Sequence, residues 1–177
     1  SALVPYKKVS LAIEAFNRLG LPLKIAGDGP LRQSLEKMSR RNVEFLGWVN
    51  DQSLAKLYAT CQALVFPGEE DFGIVPLEAQ ASGRPVIAYG KGGVLESVRP
   101  WSGEPSRFST SASPTGIFFT EPTPESLIEA VQTFQRIADH FEPAALQRHA
   151  ARFSRERFKT EMKEHIDDCL AARQRKN

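Results

Sequence analysis

Short, mostly apolar runs alternate with helical stretches along nearly all of this 177-residue chain, and few architectures accommodate that alternation. The runs fall at 23–26, 43–46, 63–66, 86–89 and 116–119, most of them bounded by Gly, Pro or Asn. They are too short for helices, and several lack the apolar–polar alternation of a half-exposed strand, so they read as buried strands. Between them, apolar residues recur at helical spacing. Val9, Ala12, Ile13, Phe16 and Leu19 mark a helix over 8–19 that Gly20 ends, and Leu31, Leu35 and Met38 mark a second with Pro30 in its first turn. Leu54, Leu57 and Tyr58 mark a third, capped by Asn50 or Asp51. Further helices are expected over 75–81, 94–98, 123–140 (Thr123 as cap, Pro124 in first position), 143–149 and 154–172. Residues 2–4 read as the end of one more strand. Parallel strands need crossover connections, and helices supply them. The expectation is an α/β fold: one domain over 1–177 with a doubly wound, mostly parallel, Rossmann-like sheet and helices on both faces.

In such folds ligands bind beyond the carboxyl ends of the strands. The loops at 5–7, 27–30, 47–49, 67–74 and 90–93 all follow strands and should gather on one edge. Residues 99–115, rich in Pro, Ser, Gly and Thr, form the one long loop.

Composition excludes several classes. Net charge is +2 with both signs interspersed, which argues against a nucleic-acid partner. No apolar run approaches the roughly 18 residues of a membrane-spanning helix, and no signal peptide is visible. Cys61 and Cys169 lie far apart, without metal-ligand spacing, as suits a reducing, cytosolic setting. His140, His149 and His165 share no spacing and read as surface or helix-end residues. No Asp-x-Asp pair or His/Cys cluster calls for a metal, and neither a nucleophilic serine elbow nor a Walker loop occurs.

The most informative stretch is Phe66-Pro67-Gly68-Glu69-Glu70-Asp71-Phe72-Gly73-Ile74-Val75-Pro76-Leu77-Glu78. It leaves a strand, crosses an acidic loop and enters a helix at Gly73. The first N–H groups of a helix lack internal partners and favour an anion. Carboxylates beside an anion site make sense when the ligand also carries hydroxyls, because an ionised carboxylate only accepts and a sugar hydroxyl donates. Glu70 and Glu78, seven residues between them, therefore point to a nucleoside diphosphate sugar, although either one alone also fits an ordinary exposed carboxylate. Lys7, after the first strand, is either a cation within reach of a diphosphate or an ordinary solvated lysine. Gly27-Asp28-Gly29-Pro30 is either a plain turn or a backbone contact to ligand, and Gly92-Gly93 is either a tight turn or a second set of N–H donors.

Together these residues resemble the C-terminal, nucleotide-sugar-binding domain of group-1 retaining glycosyltransferases of the GT-B fold. The resemblance rests on Leu-Val-Pro-Tyr-Lys at 3–7, Leu-Ala-Ile-Glu-Ala-Phe at 11–16, Ile-Ala-Gly-Asp-Gly-Pro at 25–30, Val-Glu-Phe-Leu-Gly-Trp-Val at 43–49, the Glu70–Glu78 block and Gly-Gly-Val-Leu-Glu-Ser-Val at 92–98. It implies that Lys7 binds the diphosphate, Glu70 the sugar hydroxyls, the backbone of Phe72, Gly73, Ile74 and Val75 the sugar and phosphates, and Glu78 the ribose. Trp48 and Val49 would border the base. It further implies a hexosyltransferase, similar to bacterial mannosyltransferases of polysaccharide assembly, that needs no metal or other cofactor. GDP-mannose is the first expectation for the donor, with a saccharide or lipid-linked acceptor. An N-terminal acceptor domain would belong to the same protein but lie outside this chain. The whole protein would be cytoplasmic, in peripheral contact with the inner face of the membrane. The resemblance departs in two places: Ser1-Ala2 replaces the family's usual Gly-Arg, which shifts phosphate charge onto Lys7 with Lys8 beside it, and Asp71 stands where Gly is common. The different-class alternative is a nucleotide- or sugar-binding module without catalysis.

Overall fold

The computed structural model describes residues 2–103 and 113–174. A single 3-10 turn over Pro5–Lys7 leads into α1 (Val9–Leu19), followed by β1 (Leu23–Ala26), α2 (Arg32–Met38), β2 (Val43–Gly47), α3 (Asp51–Thr60), β3 (Leu64–Phe66), α4 (Ile74–Ala81), β4 (Val86–Tyr89), α5 (Val94–Ser97), β5 (Gly116–Phe119), α6 (Pro124–Ile137), α7 (Pro143–Ala151) and α8 (Arg155–Gln174). The five expected strands and the helices between them are present. Of the 99–115 loop, residues 104–112 lie outside the described residues. Its two ends are joined: the Trp101 N–H donates to the Gly116 carbonyl at 2.9 Å and the Thr115 N–H to the Arg99 carbonyl at 2.8 Å.

All pairings between these strands are parallel, but they form two ladders rather than one sheet: β1 with β2, and β3–β4–β5. The strand expected at 2–4 is not formed. Leu3 donates a backbone bond to Asp28 at 2.9 Å and accepts one from Leu31 at 3.1 Å, and the Val4 carbonyl accepts from the Lys7 N–H at 3.2 Å. The chain then turns at Pro5, which has no N–H to extend a ladder. Residues 2–8 thus lie between the carboxyl ends of the two ladders. Leu3 sits against the turn after β1, while Tyr6 and Lys7 lie against Gly68 after β3.

Strand β4 explains the two-faced packing. All four of its residues are buried. Ile87 and Tyr89 pack with Leu11, Ala12 and Phe16 of α1, Leu127 and Val131 of α6 and Leu146 of α7. Val86 and Ala88 point the other way, toward Tyr58 of α3, Ala79 of α4 and Val94 of α5. Helices therefore cover both faces, and a continuous apolar run replaces alternation. A third cluster, Leu3, Ile13, Ile25 and Leu35, lies beside β1 and α2. Helix α1 joins the two ladders, since its Ile13 belongs to one cluster and its Phe16 to another.

Of the histidines expected at the surface or at helix ends, His149 does lie in the last turn of α7, but it is buried. It is 4% exposed, where α7 packs on α4. The ring Nε2–H donates to the Ser97 carbonyl at 3.1 Å, and that carbonyl also accepts from Gln80 Nε2 at 2.9 Å. His149 Nδ1 has no hydrogen-bond partner among the described residues. Sequence spacing missed this because a single polar residue on an amphipathic helix looks solvent-facing until its neighbour is known. Burial holds the imidazole below its ordinary value, helped by the positive charges of Arg99 and Arg152. The unfolded chain then takes up a proton at about pH 6.5 that the folded chain resists. Stability is therefore full above that pH and falls as pH drops through it. Thermal midpoints measured from pH 8 to pH 5.5 should decline, and His149→Gln should flatten the slope.

Candidate functional site

The loop between β3 and α4 is built by close backbone approaches. At Gly68 an added Cβ would lie 2.9 Å from the Tyr6 carbonyl oxygen and 3.0 Å from the Lys7 Cα, so only glycine lets the N-terminal segment pass. Gly73 caps α4 with φ 78° and ψ 75°, a left-handed conformation natural to glycine. Gly73, Ile74 and Val75 supply the N–H groups of the helix opening, and Pro76, in the first turn, has none to supply.

Lys7 closes the loop from the other side. Its ammonium donates to Glu70 Oε1, and the two side chains are only 15% and 20% exposed. This pair brings together a cation and a carboxylate 63 residues apart in sequence. Lys8 follows in a left-handed conformation, φ 48°, unusual for a residue with a Cβ. Its ammonium lies over the Tyr89 ring, 4.9 Å from the centroid, and Lys91 lies over the same ring at 5.6 Å. Lys8, expected beside Lys7 as an auxiliary phosphate cation, is thus seated on an aromatic face at the same edge.

A cleft of about 620 Å³ opens here, lined by Tyr6, Glu69, Glu70, Asp71, Phe72, Gly73, Ile74 and Val75. Five of the expected residues, Glu70 and Phe72 to Val75, line it directly, and Lys7 reaches it through Glu70. Glu78 is not in its wall. It lies one helical turn beyond Ile74, about 6 Å along α4, on the same exposed face. There it accepts a hydrogen bond at 3.1 Å from the phenol of Tyr58. Trp48, 79% exposed, and Val49 follow Gly47, whose carbonyl accepts from the Gly27 N–H at 2.7 Å. The expected loops therefore neighbour one another in space: 47 beside 27, 28 beside 3, 6–7 beside 68, 70 beside 93.

Three glycines act differently from the backbone-donor option. The N–H groups of Gly27, Gly29 and Gly93 are already engaged, with the Gly47 carbonyl, Asp28 Oδ1 (2.7 Å) and the Glu70 carbonyl (2.8 Å). Gly29 makes room for Leu3, whose backbone N would lie 2.6 Å from an added Cβ. Gly92 and Gly93 make room for the acidic loop: a Cβ on either would collide with the Glu70 or Asp71 carbonyl. Their role is to let the loop that carries Glu70 settle. Tyr6, Glu69 and Tyr58 were not singled out from sequence. Tyr58 in particular reads only as one apolar position of an amphipathic helix, with nothing to signal where its hydroxyl ends.

Chemically, the cleft combines a helix opening, one half-buried cation and several carboxylates. The helix opening and Lys7 suit a phosphate, and Glu70 suits hydroxyl donors. Gly93→Ala should displace the acidic loop by steric conflict, whereas Gly73→Ala, with its nearest non-neighbour atom 3.5 Å from the new Cβ, should cost only the roughly 1–2 kcal/mol of a left-handed alanine. Denaturant unfolding of both variants would show Gly93→Ala to be the more destabilised.

Known proteins share sequence and fold with this chain. The family "Glycosyl transferases group 1" matches residues 1–150. An uncharacterized glycosyltransferase of Methanocaldococcus jannaschii is 43% identical over 83 residues, 44% of this chain and 21% of that protein. The O-antigen chain mannosyltransferase C of Escherichia coli is 36% identical over 90 residues, 47% of this chain and 24% of that one. The matches thus span about a quarter or less of the length of these two relatives. Among solved structures, Anabaena HepE in complex with UDP superposes with a TM-score of 0.68 at 22% identity, over 97% of this chain and 47% of the other. That likeness establishes the fold, which is shared with GT-B glycosyltransferases. With the family matched over most of its length, the chain belongs to the group 1 glycosyl transferases.

Proposed function

We propose that this chain is the donor-binding domain of a retaining glycosyltransferase that moves a sugar, mannose in the first instance, from a nucleoside diphosphate sugar to a saccharide or lipid-linked acceptor. The observation that carries the reading is the Lys7–Glu70 pair set at the opening of α4. The E. coli relative is a mannosyltransferase, and the Anabaena neighbour was solved with UDP.

In this reading the diphosphate lies against the N–H groups of Gly73, Ile74 and Val75, and the Lys7 ammonium swings or shares toward it. Cleaving the sugar–phosphate bond leaves negative charge on the diphosphate and positive charge on the sugar ring. Fixed donors at the helix opening and the lysine stabilise the departing anion in advance, so no metal is needed for that step. Glu70 accepts hydrogen bonds from the donor sugar's hydroxyls and Glu78 from the ribose, while Trp48 and Val49 border the base. The acceptor arrives on the face from which the diphosphate leaves, which accounts for retention.

The acceptor side belongs, in this proposal, to an N-terminal domain of the same protein. Helix α8 supports the need for a further partner surface. Phe158, Met162, Ile166 and Leu170 recur every four residues along it, and all four are exposed. No described helix is long and apolar enough to cross a membrane. In this proposal, contact with a lipid-linked acceptor is peripheral, at the cytoplasmic face.

Titrating the chain with GDP, UDP and ADP and following its thermal midpoint tests the reading, because a ligand that binds only the folded state raises it. GDP is expected to give the largest rise, and no rise with any of the three would refute donor binding. Lys7→Ala should weaken the best nucleotide about tenfold or more, the loss of one charge-assisted hydrogen bond. Glu70→Gln should bind the same nucleotide at least as tightly, since Lys7 is released from its partner, yet abolish transfer in the full-length protein.

A further inference from the structure

We infer that Tyr58 is a positioning residue for the nucleotide: its hydroxyl holds the Glu78 carboxylate in the orientation that receives the ribose. The inference rests on the proposed role of Glu78 and goes beyond it, since it assigns a buried side chain on a different helix to nucleotide recognition.

Tyr58 lies in the last turns of α3, only 8% exposed, and its ring packs among Phe66, Ala79, Val86, Ala88 and Val94. A phenol in such a place has one polar atom to satisfy, and it does so by donating to Glu78 Oε2 at 3.1 Å. Tyr58 is also fixed by its backbone, whose carbonyl accepts from Arg84 Nε at 3.0 Å. Arg84 follows the end of α4, and its guanidinium also donates to the Ala59 carbonyl. So α3 and α4 are joined twice, once through Arg84 and once through the phenol. The ring cannot rotate away without opening the cluster around it.

Glu78 itself is exposed and would otherwise sample several rotamers, losing that freedom on binding. Oε2 is held by the phenol, and Glu78 is exposed one helical turn from Ile74 at the cleft, so Oε1 is left for a ligand. A carboxylate anchored at one oxygen presents the other in a set direction to a vicinal diol. Burial, reinforced by the negative charge of Glu78, pushes the phenol well up from its ordinary range, so the hydroxyl remains a donor at any working pH.

The test uses a ligand with and without the diol. In the full-length protein, isothermal titration compares the tightest-binding of GDP, UDP and ADP with its 2′,3′-dideoxy counterpart, for wild type, Tyr58→Phe and Glu78→Gln. Wild type should favour the ribonucleotide about tenfold or more, as expected for hydrogen bonds to a carboxylate. Tyr58→Phe should weaken ribonucleotide binding about fivefold while leaving the dideoxy ligand unchanged, which shrinks the preference. Combining it with Glu78→Gln should add nothing further. If wild type binds both ligands equally, the ribose role of Glu78 is wrong and the role of Tyr58 goes with it. If wild type discriminates and Tyr58→Phe discriminates equally well, or loses both ligands in parallel, Tyr58 serves only the core and the inference is overturned while the donor-site reading stands.

Discussion

The acidic loop ahead of α4 is held at one residue from two directions, and the rest of the edge is arranged around that grip. Glu70 gives its carbonyl to the Gly93 N–H and its carboxylate to Lys7. The first tie comes from the turn after β4, the second from the segment that precedes α1. A half-buried carboxylate without a cation would be costly, and a half-buried lysine likewise, so neither side chain is free to leave alone. A ligand that supplies both an anion and hydroxyls replaces each partner with an equivalent one. A simple phosphate replaces only Glu70, which leaves that carboxylate uncompensated. Under the proposed function, the pair would favour a ligand carrying both chemistries over either part alone.

The segment from residue 2 to residue 8 does much with few residues. Leu3 is buried and bonded to the turn after β1, the Pro5–Lys7 turn passes over Gly68, and Lys8 lies on Tyr89 at the end of β4. It therefore touches the carboxyl ends of both ladders. The glycines at 29 and 68 are the passages that let it through, and those at 92 and 93 do the same for the acidic loop. Their shared property is the absence of a side chain where two backbones meet, rather than an N–H offered to a ligand. Among these four, only Gly92 also has a positive φ.

Three carboxylates, Glu69, Glu70 and Asp71, line the cleft at the opening of α4, which favours an anion. The arrangement is tolerable because the positive charges are distributed around the same edge: Lys7 on Glu70, and Lys8 and Lys91 on the Tyr89 ring. The long-range field at the mouth is therefore mixed, and selectivity must come from short, directed contacts rather than from net charge.

The order of strands and helices was legible in the sequence because burial of a parallel strand demands an unbroken apolar run, and covering helices demand a 3.6-residue period. Runs such as 86–89 and 116–119 and the helix from Val9 meet those demands locally, whatever their neighbours. The strand–glycine–helix step at Gly73 was legible for the same reason, as was the pairing of acidic residues with a helix opening. The sequence could not say that residues 2–4 would stay outside both ladders, since strand formation depends on a partner's edge and Pro5 turns the chain away from it. Nor could it say that Gly29 and Gly93 would be there for clearance, that His149 would be enclosed between α7 and α4, or that the Tyr58 hydroxyl would end on Glu78. Each of those depends on which surfaces meet across tens of residues. Periodicity reports which face of an element is buried, but only packing decides what lies opposite that face.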